Sequence, residues 1–159
     1  KGKVYSFGNT DGNDIGRREA FDWYQVGEGK GMSHWYKNSG AWWTNANQKA
    51  NDGISLEEQQ NDPNSLFRFY KQTIGLRNKH VALSVGSYQN AENNNEKVMS
   101  FYRTHPKEKV LVMANLSNEK QVVRITDEIK KAKNLRDKQS KFEQEMVLEP
   151  YQVLVFQVK

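Results

Sequence analysis

The stretch KVMSFYRTHPKEKVLVMANL, residues 97–116, reads as two runs of alternating character separated by HPKE. Period-2 alternation sends successive side chains to opposite faces of an extended chain, and Val, Tyr and Phe suit a half-buried pleated surface. Two such runs joined by a short polar turn predict an antiparallel hairpin. The same signal recurs outward in SVGSYQ, KQVVRI, QEMVLE and YQVLVFQVK, and the runs are broken by NAENNNE, LSNE and a lysine-rich stretch. Six short strands within residues 84–159 predict an antiparallel sandwich or barrel. The last of them is the clearest, with Pro150 marking the turn before it.

Upstream, DPNSLFRFYKQTIGLRNKH (residues 62–80) changes period. Leu66, Phe69, Tyr70, Thr73, Ile74 and Arg77 recur at steps of three and four, Asp62 can cap and Pro63 suits the first helical position. One helix is expected over residues 63–79. Phe67 and Leu76 lie off its main stripe, which predicts burial on more than one side. Residues 1–61 are rich in Gly, Asn, Asp and Trp and hold neither period. Sixty residues without regular structure are improbable in a self-sufficient domain, so this segment needs a surface to lie on. Its one interruption is ISLEEQQND, where Ser55 followed by Glu58 fits a capping box. The fold class is mainly β with one long helix.

The net charge of +5 belongs to one place: residues 130–141, KKAKNLRDKQSK, hold six Lys or Arg and one Asp, and the rest of the chain is neutral. The run contains no aromatic side chain, unlike a nucleic-acid groove, and reads as a solvated loop. No apolar run is long enough to span a membrane. The chain has no cysteine, which excludes disulfides, thiol catalysis and thiolate metal sites. No signal peptide is visible, so a secreted and a cytoplasmic bacterial origin stay open; a mature or truncated chain would look the same.

Catalytic raw material is sparse. His34, His80 and His105 show no HExxH or HxH spacing. GEGKGMSHW, residues 27–35, lacks the strand and helix of a phosphate cradle and reads as turn geometry. Glycoside hydrolysis needs two carboxylates flanking one bond. Asp11, Asp14, Glu19, Asp22, Glu28, Asp52, Glu57, Glu58 and Asp62 are available, but no pair among them can be named catalytic; Glu57 and Glu58 read as a solvated helix start. Asn115-Leu116-Ser117 is a glycosylation sequon at a strand end and is read as fortuitous.

Taken in order, REAFDWY, GEGKGMSHWYK, ANDGISLEEQQNDPNSLFRFYKQTIGLRNKHVAL, LVMANLS and YQVLVFQV resemble the C-terminal part of an α-amylase family glycoside hydrolase. The pattern is similar to the bacterial α-amylase and oligo-glucosidase branch. The resemblance covers essentially the whole chain. It implies that residues 1–80 are the end of a (β/α)8 barrel, with the long loop after the last barrel strand and the helix at 63–79. Residues 84–159 would then be domain C, a Greek-key-type β-sandwich.

The family's nucleophile, general acid and third carboxylate would precede Lys1, so the resemblance implies a chain that is inactive alone on starch or maltooligosaccharides. It implies an α-glucan substrate, the N-terminal barrel portion as partner, and self-association where that partner is missing; it points to neither nucleic acid nor a membrane. No cofactor is implied within these residues, with room for calcium in the barrel portion. Arg18 matches the family arginine that pairs with a barrel aspartate and helps hold the sugar beside the cleavage point. This chain has Ala20 where relatives commonly have Pro, which leaves Arg17 as a neighbouring candidate and a plain ion pair as the bland one. Trp42 and Trp43 are adjacent, so both cannot face one way; either could line a glucan groove. Trp23 reads as packing. A free-standing carbohydrate-binding β-module and a basic protein that grips a polyanion through residues 130–141 are the competing readings.

Overall fold

The computed structural model describes residues 20–33, 49–137 and 141–159. The chain divides into two compact units, residues 1–71 and 72–159.

In the first unit, helix α1 (Leu56–Asn61) opens on the expected capping box: Ser55 Oγ accepts from the Glu58 amide, and the Glu58 carboxylate accepts in return from the Ser55 backbone. The chain then turns through Asp62–Asn64, with the Asn64 amide donating to Asp62 Oδ1 at 2.8 Å. Helix α2 (Leu66–Lys79) therefore starts three residues later than the expected residue 63. Its cap is Ser65, whose hydroxyl accepts from the Arg68 amide at 3.2 Å. The division between units falls inside α2. Burial on α2 also differs from expectation, since none of its residues is buried. Leu66, Tyr70 and Ile74 on the main stripe are 64%, 60% and 55% exposed, while the off-stripe Phe67 and Leu76 are half-buried.

The second unit is a β-sandwich. A short helix α3 (Val81–Val85), missing from the sequence expectation, precedes β1 (Ser87–Asn90), β2 (Val98–His105), β3 (Glu108–Asn115), β4 (Gln121–Arg124), β5 (Ala132–Asn134), β6 (Glu145–Leu148) and β7 (Val153–Val158). One sheet has the order β1-β2-β3-β7-β5, and the other pairs β4 with β6. The chain thus crosses between sheets after β3, β4, β5 and β6, and β7 returns beside β3, a Greek-key-type path. Strand β5 lies inside the stretch read as a solvated lysine loop. It pairs with β7 through Ala132 opposite Val158 and Asn134 opposite Phe156. Long-range pairing overrides the local lysine content there.

Alternation gives the five-stranded sheet two different faces. One carries Tyr102, Leu111, Met113, Leu154 and Phe156, which pack with Val123 and Leu148 of the smaller sheet and with Ile125 just past β4 as the main core. The other carries Val110 and Val155 beneath Ala82 of α3, with Leu76, Leu83 and Leu135 at the margin. Burial pushes the Tyr102 phenol up, and the nearby Asp127 carboxylate adds to the effect. The sequon asparagine is part of this architecture. Asn115 is buried, and its Nδ2 donates to the carbonyls of Glu119 at 2.7 Å and Glu149 at 2.9 Å. Its Oδ1 accepts from the Ser117 amide and hydroxyl, so the amide nitrogen is spoken for inside the turn.

Candidate functional site

The aromatic segment Phe21–Tyr24 is clipped to the start of α1. A short helix leaves its first amide groups without internal partners. Here the Leu56 and Glu57 amides donate to the carbonyls of Asp22 and Trp23, at 2.9 and 3.1 Å. Glu57 closes the clip by accepting from the Gln25 amide at 2.9 Å. Gln25 and Asn51 then join twice, side chain to side chain at 2.8 Å and Asn51 amide to Gln25 carbonyl at 2.9 Å. Glu57 and Glu58 thus stand in the first turn of α1 as expected, with Glu57 exposed, and both also act as fasteners. Asp52 is committed in the same way, accepting from the Ile54 amide at 3.0 Å.

Glycine-rich residues 27–31 form turns as expected. Gly27 and Gly31 both have φ of 81°, a conformation that side-chain-bearing residues rarely adopt. Gly29 is required by contact, because a Cβ there would stand 2.2 Å from the Tyr24 ring. That ring is fixed by its hydroxyl, which donates to the Lys30 carbonyl at 2.7 Å.

Two features of the clip bear on function. Phe21 and Trp23 are exposed, with ring centroids 4.5 Å apart and planes tilted by 55°. Trp23 thus packs on Phe21 without being buried. Asp22 has both carboxylate oxygens shielded from solvent with no hydrogen-bond partner among the described residues. Burial first, then the charges of Asp52 and Glu58, push its pKa up and favour the neutral acid. Arg17, Arg18, His34, Trp35, Trp42 and Trp43 lie outside the described residues. Among the described residues, no group of three or more His, Asp or Glu could hold a metal ion. No described helix is long and apolar enough to cross a membrane.

The second unit holds a polar cluster that the sequence did not single out. Glu108, at the start of β3, sends one carboxylate oxygen to the Ala82 amide at 2.9 Å and the other to His80 Nδ1 at 3.0 Å. Gln157 Nε2 donates to the latter oxygen at 3.4 Å. Burial pushes the Glu108 carboxyl up, but the Ala82 amide and His80, with His105 beyond, outweigh it and hold the pKa below the ordinary value. One carboxylate thus caps α3 and ties the α2–α3 corner to the sheet. Arg103 Nε adds a bond to the Ala82 carbonyl at 3.3 Å. His80 and Glu108 are far apart in sequence, and no spacing rule links them.

The family profile described as the Alpha-amylase SusG C-terminal domain matches residues 98–155, from the start of β2 into β7. Over these residues the chain is similar to the C-terminal domain of an α-amylase. Alpha-amylase 3 of Dictyoglomus thermophilum is 26% identical over 146 residues, covering 89% of this chain and 27% of that protein. The oligo-1,6-glucosidase of Bacillus cereus is 27% identical over 111 residues, 67% of this chain and 20% of that one. Among solved structures, the trehalulose synthase MutB from Pseudomonas mesoacidophila superposes with a TM-score of 0.59 at 28% identity, over 70% of this chain and 21% of that one. The α-amylase-family likeness thus reaches beyond the sandwich, and the chain spans about a quarter of the length of these relatives. The matched residues 98–155 include most of the sandwich, which is thus similar to the C-terminal domain of these relatives.

Proposed function

We propose that this chain is the C-terminal portion of an α-glucan hydrolase of the α-amylase family. That enzyme cleaves starch, maltooligosaccharides or α-glucosides by a retaining mechanism, with two carboxylates on either side of the glycosidic bond. The catalytic carboxylates belong to a barrel portion outside these residues. The observation that carries this reading is the breadth of the likeness to Alpha-amylase 3, which covers 89% of the chain and so includes much more than the sandwich. Residues 1–80 are then the end of the barrel: a loop, clipped at Phe21–Tyr24, and helix α2. The exposed stripe of α2 supports this assignment, since an amphipathic face left bare wants a packed partner.

In this reading Arg18 holds sugar. A guanidinium fork can donate to a carboxylate and a hydroxyl together, which suits the pairing of a barrel aspartate with a bound glucose unit. Arg17 is the neighbouring candidate, and Trp42 or Trp43 lines the glucan groove.

The test is turnover of maltooligosaccharides and α-glucosides by the purified 159-residue chain, beside the product of its gene expressed with the upstream reading frame. The chain alone should be inactive and the longer product active; hydrolysis by the chain alone overturns the proposal. Self-association of the chain alone through the α2 stripe is expected, and light scattering reads it. The exposed Phe21–Trp23 ring pair favours one second reading, a stand-alone carbohydrate-binding module. Calorimetric titration of the chain with maltoheptaose separates the two, because the first reading expects negligible binding without the barrel.

A further inference from the structure

The smaller sheet turns one face to the core and the other to solvent, and the outer face is sorted by charge. Val123, Met146 and Leu148 point inward, so alternation sends Val122, Arg124, Glu145 and Val147 outward. All four are exposed. The register sets Val122 opposite Val147 and Arg124 opposite Glu145. One position beyond the ladder, Lys120 and Glu149 form an ion pair at 2.8 Å, both well exposed. The β4 column of this face is therefore Lys120, Val122 and Arg124, and the β6 column is Glu149, Val147 and Glu145. Basic side chains stand along one strand and acidic ones along the other, with a valine pair between them.

The columns are held at fixed places. Strand β4 is sealed on its far side by the asparagine run: Asn94 Oδ1 accepts from the Arg124 amide at 2.7 Å, and Asn95 Nδ2 donates to the Val122 carbonyl at 2.9 Å. Arg124 and Glu145 stand opposite each other, yet neither side chain has a partner among the described residues. At the Lys120–Glu149 end the exposed surface goes on into Tyr151, two residues past Glu149 and 67% exposed. Its amide is tied to the Ser117 carbonyl at 3.2 Å, and its φ of 57° lies in the left-handed region, which side-chain-bearing residues rarely adopt. A ring held out on strained backbone, with no burial to offset the strain, calls for a contact outside the chain.

We propose that this face docks a second copy of the chain about a two-fold axis. The occupant is argued from charge complementarity. Two basic and two acidic side chains cancel over the face, so a polyanion or a polycation would meet one column of its own sign. A two-fold axis lying along the ladder, above the sheet and midway between β4 and β6, exchanges the columns without changing their level. Arg124 then faces Glu145 of the second copy, Lys120 faces Glu149 and Val122 packs on Val147, each contact being made twice as isologous symmetry requires. Packed sheets lie about 10 Å apart, a gap that facing valines fill and that Arg, Lys and Glu side chains bridge. The face is smaller than the roughly 800 Å² per partner of a stable interface, so the dimer is transient and fills at high protein concentration. It does not depend on the reading under Proposed function, because every residue of it lies in the sandwich.

The experiment is sedimentation of the 159-residue chain over rising concentration. It is repeated with Arg124→Glu, with Glu145→Arg and with an equimolar mixture of the two variants, one of them fluorescently labelled. Either substitution alone sets like charges against each other at two symmetric places and should weaken association by about tenfold or more. In the mixture each acid of one variant at these positions meets a base of the other, so the two variants should associate with each other as tightly as the native chain does with itself. A native chain still monomeric at about 1 mM overturns the dimer. Association that both single variants keep unchanged runs through another face, such as the α2 stripe, and overturns it as well. A mixture that associates no better than its components shows that the charges act within one chain, and the proposed docking fails.

Discussion

The two units are held together by different physics. In residues 72–159, two apolar clusters sandwich the five-stranded sheet, and Tyr102, Phe156, Leu111 and Met113 are almost wholly buried. In residues 20–33 and 49–71, Met32 is the buried hydrophobic side chain among the described residues. The order there comes from the Ser55–Glu58 box, the Glu57 and Gln25 bonds and glycines at positive φ. A core built from burial carries its own driving force. Hydrogen bonds exchanged with water contribute only about 1 kcal/mol each, so a segment that relies on them gains from a surface to lie on. The sandwich is therefore the self-sufficient part, and the clipped loop is the part that gains from a further surface.

The strongest way to break this contrast is at Phe156. Its ring is fully buried and meets Phe142 edge-on at 5.4 Å, so Phe156→Ala should cost about 3–5 kcal/mol in urea unfolding. A loss under about 1 kcal/mol would mean that the sandwich is not carried by this core.

Glu108→Gln comes next. It removes charge from bonds to the Ala82 amide and His80 and should cost about 1–3 kcal/mol at neutral pH. The folded pKa of Glu108 lies below its ordinary value, so its contribution is present above the unfolded pKa and is lost as pH falls through the folded one. Melting temperature should drop in the native chain as pH falls below about 4.3, with a smaller drop in the variant. Parallel pH profiles would remove the pairing from the stability of the corner.

Ser55→Ala tests the clip. Loss of an N-cap costs about 1 kcal/mol, and with little core behind it the effect should appear as faster limited proteolysis within residues 49–61. The sandwich melt should stay put. Equal loss in both would mean that the two units unfold as one.

Asp22→Asn is the smallest effect and has the opposite sign. Burial and the neighbouring acids raise the folded pKa of Asp22, so its contribution is present below the unfolded pKa and is lost as pH rises through the folded one. At pH 7 the ionised carboxyl works against the fold, and asparagine should slow proteolysis of the loop. Near pH 3 the variant and the native chain should match. A faster-cleaved variant at pH 7 would show that Asp22 has a cationic partner.

Much of this was legible because it is local. Period 2 between residues 97 and 116 located β2 and β3 within a residue or two, and Ser55 with Glu58 announced the cap of α1. Those signals depend on neighbours a few positions away, which the chain carries with it. The resemblance carried by LVMANLS and the start of YQVLVFQV held up for the same reason, since ordered motifs survive in linear form. The start of α2 moved because two capping residues compete within four positions, and Ser65 wins over Asp62.

The sequence by itself determined that this protein has a β-sandwich and one long helix, because hydrophobic period, caps and turns are written in consecutive residues. Only the tertiary structure decided that Lys133 lies in a strand, that Asn115 is locked inside a turn, and that His80 meets Glu108. It alone decided which stripe of α2 stays uncovered. The physical reason is that burial and pairing are set by whatever comes to lie alongside. No run of consecutive residues records its distant partner.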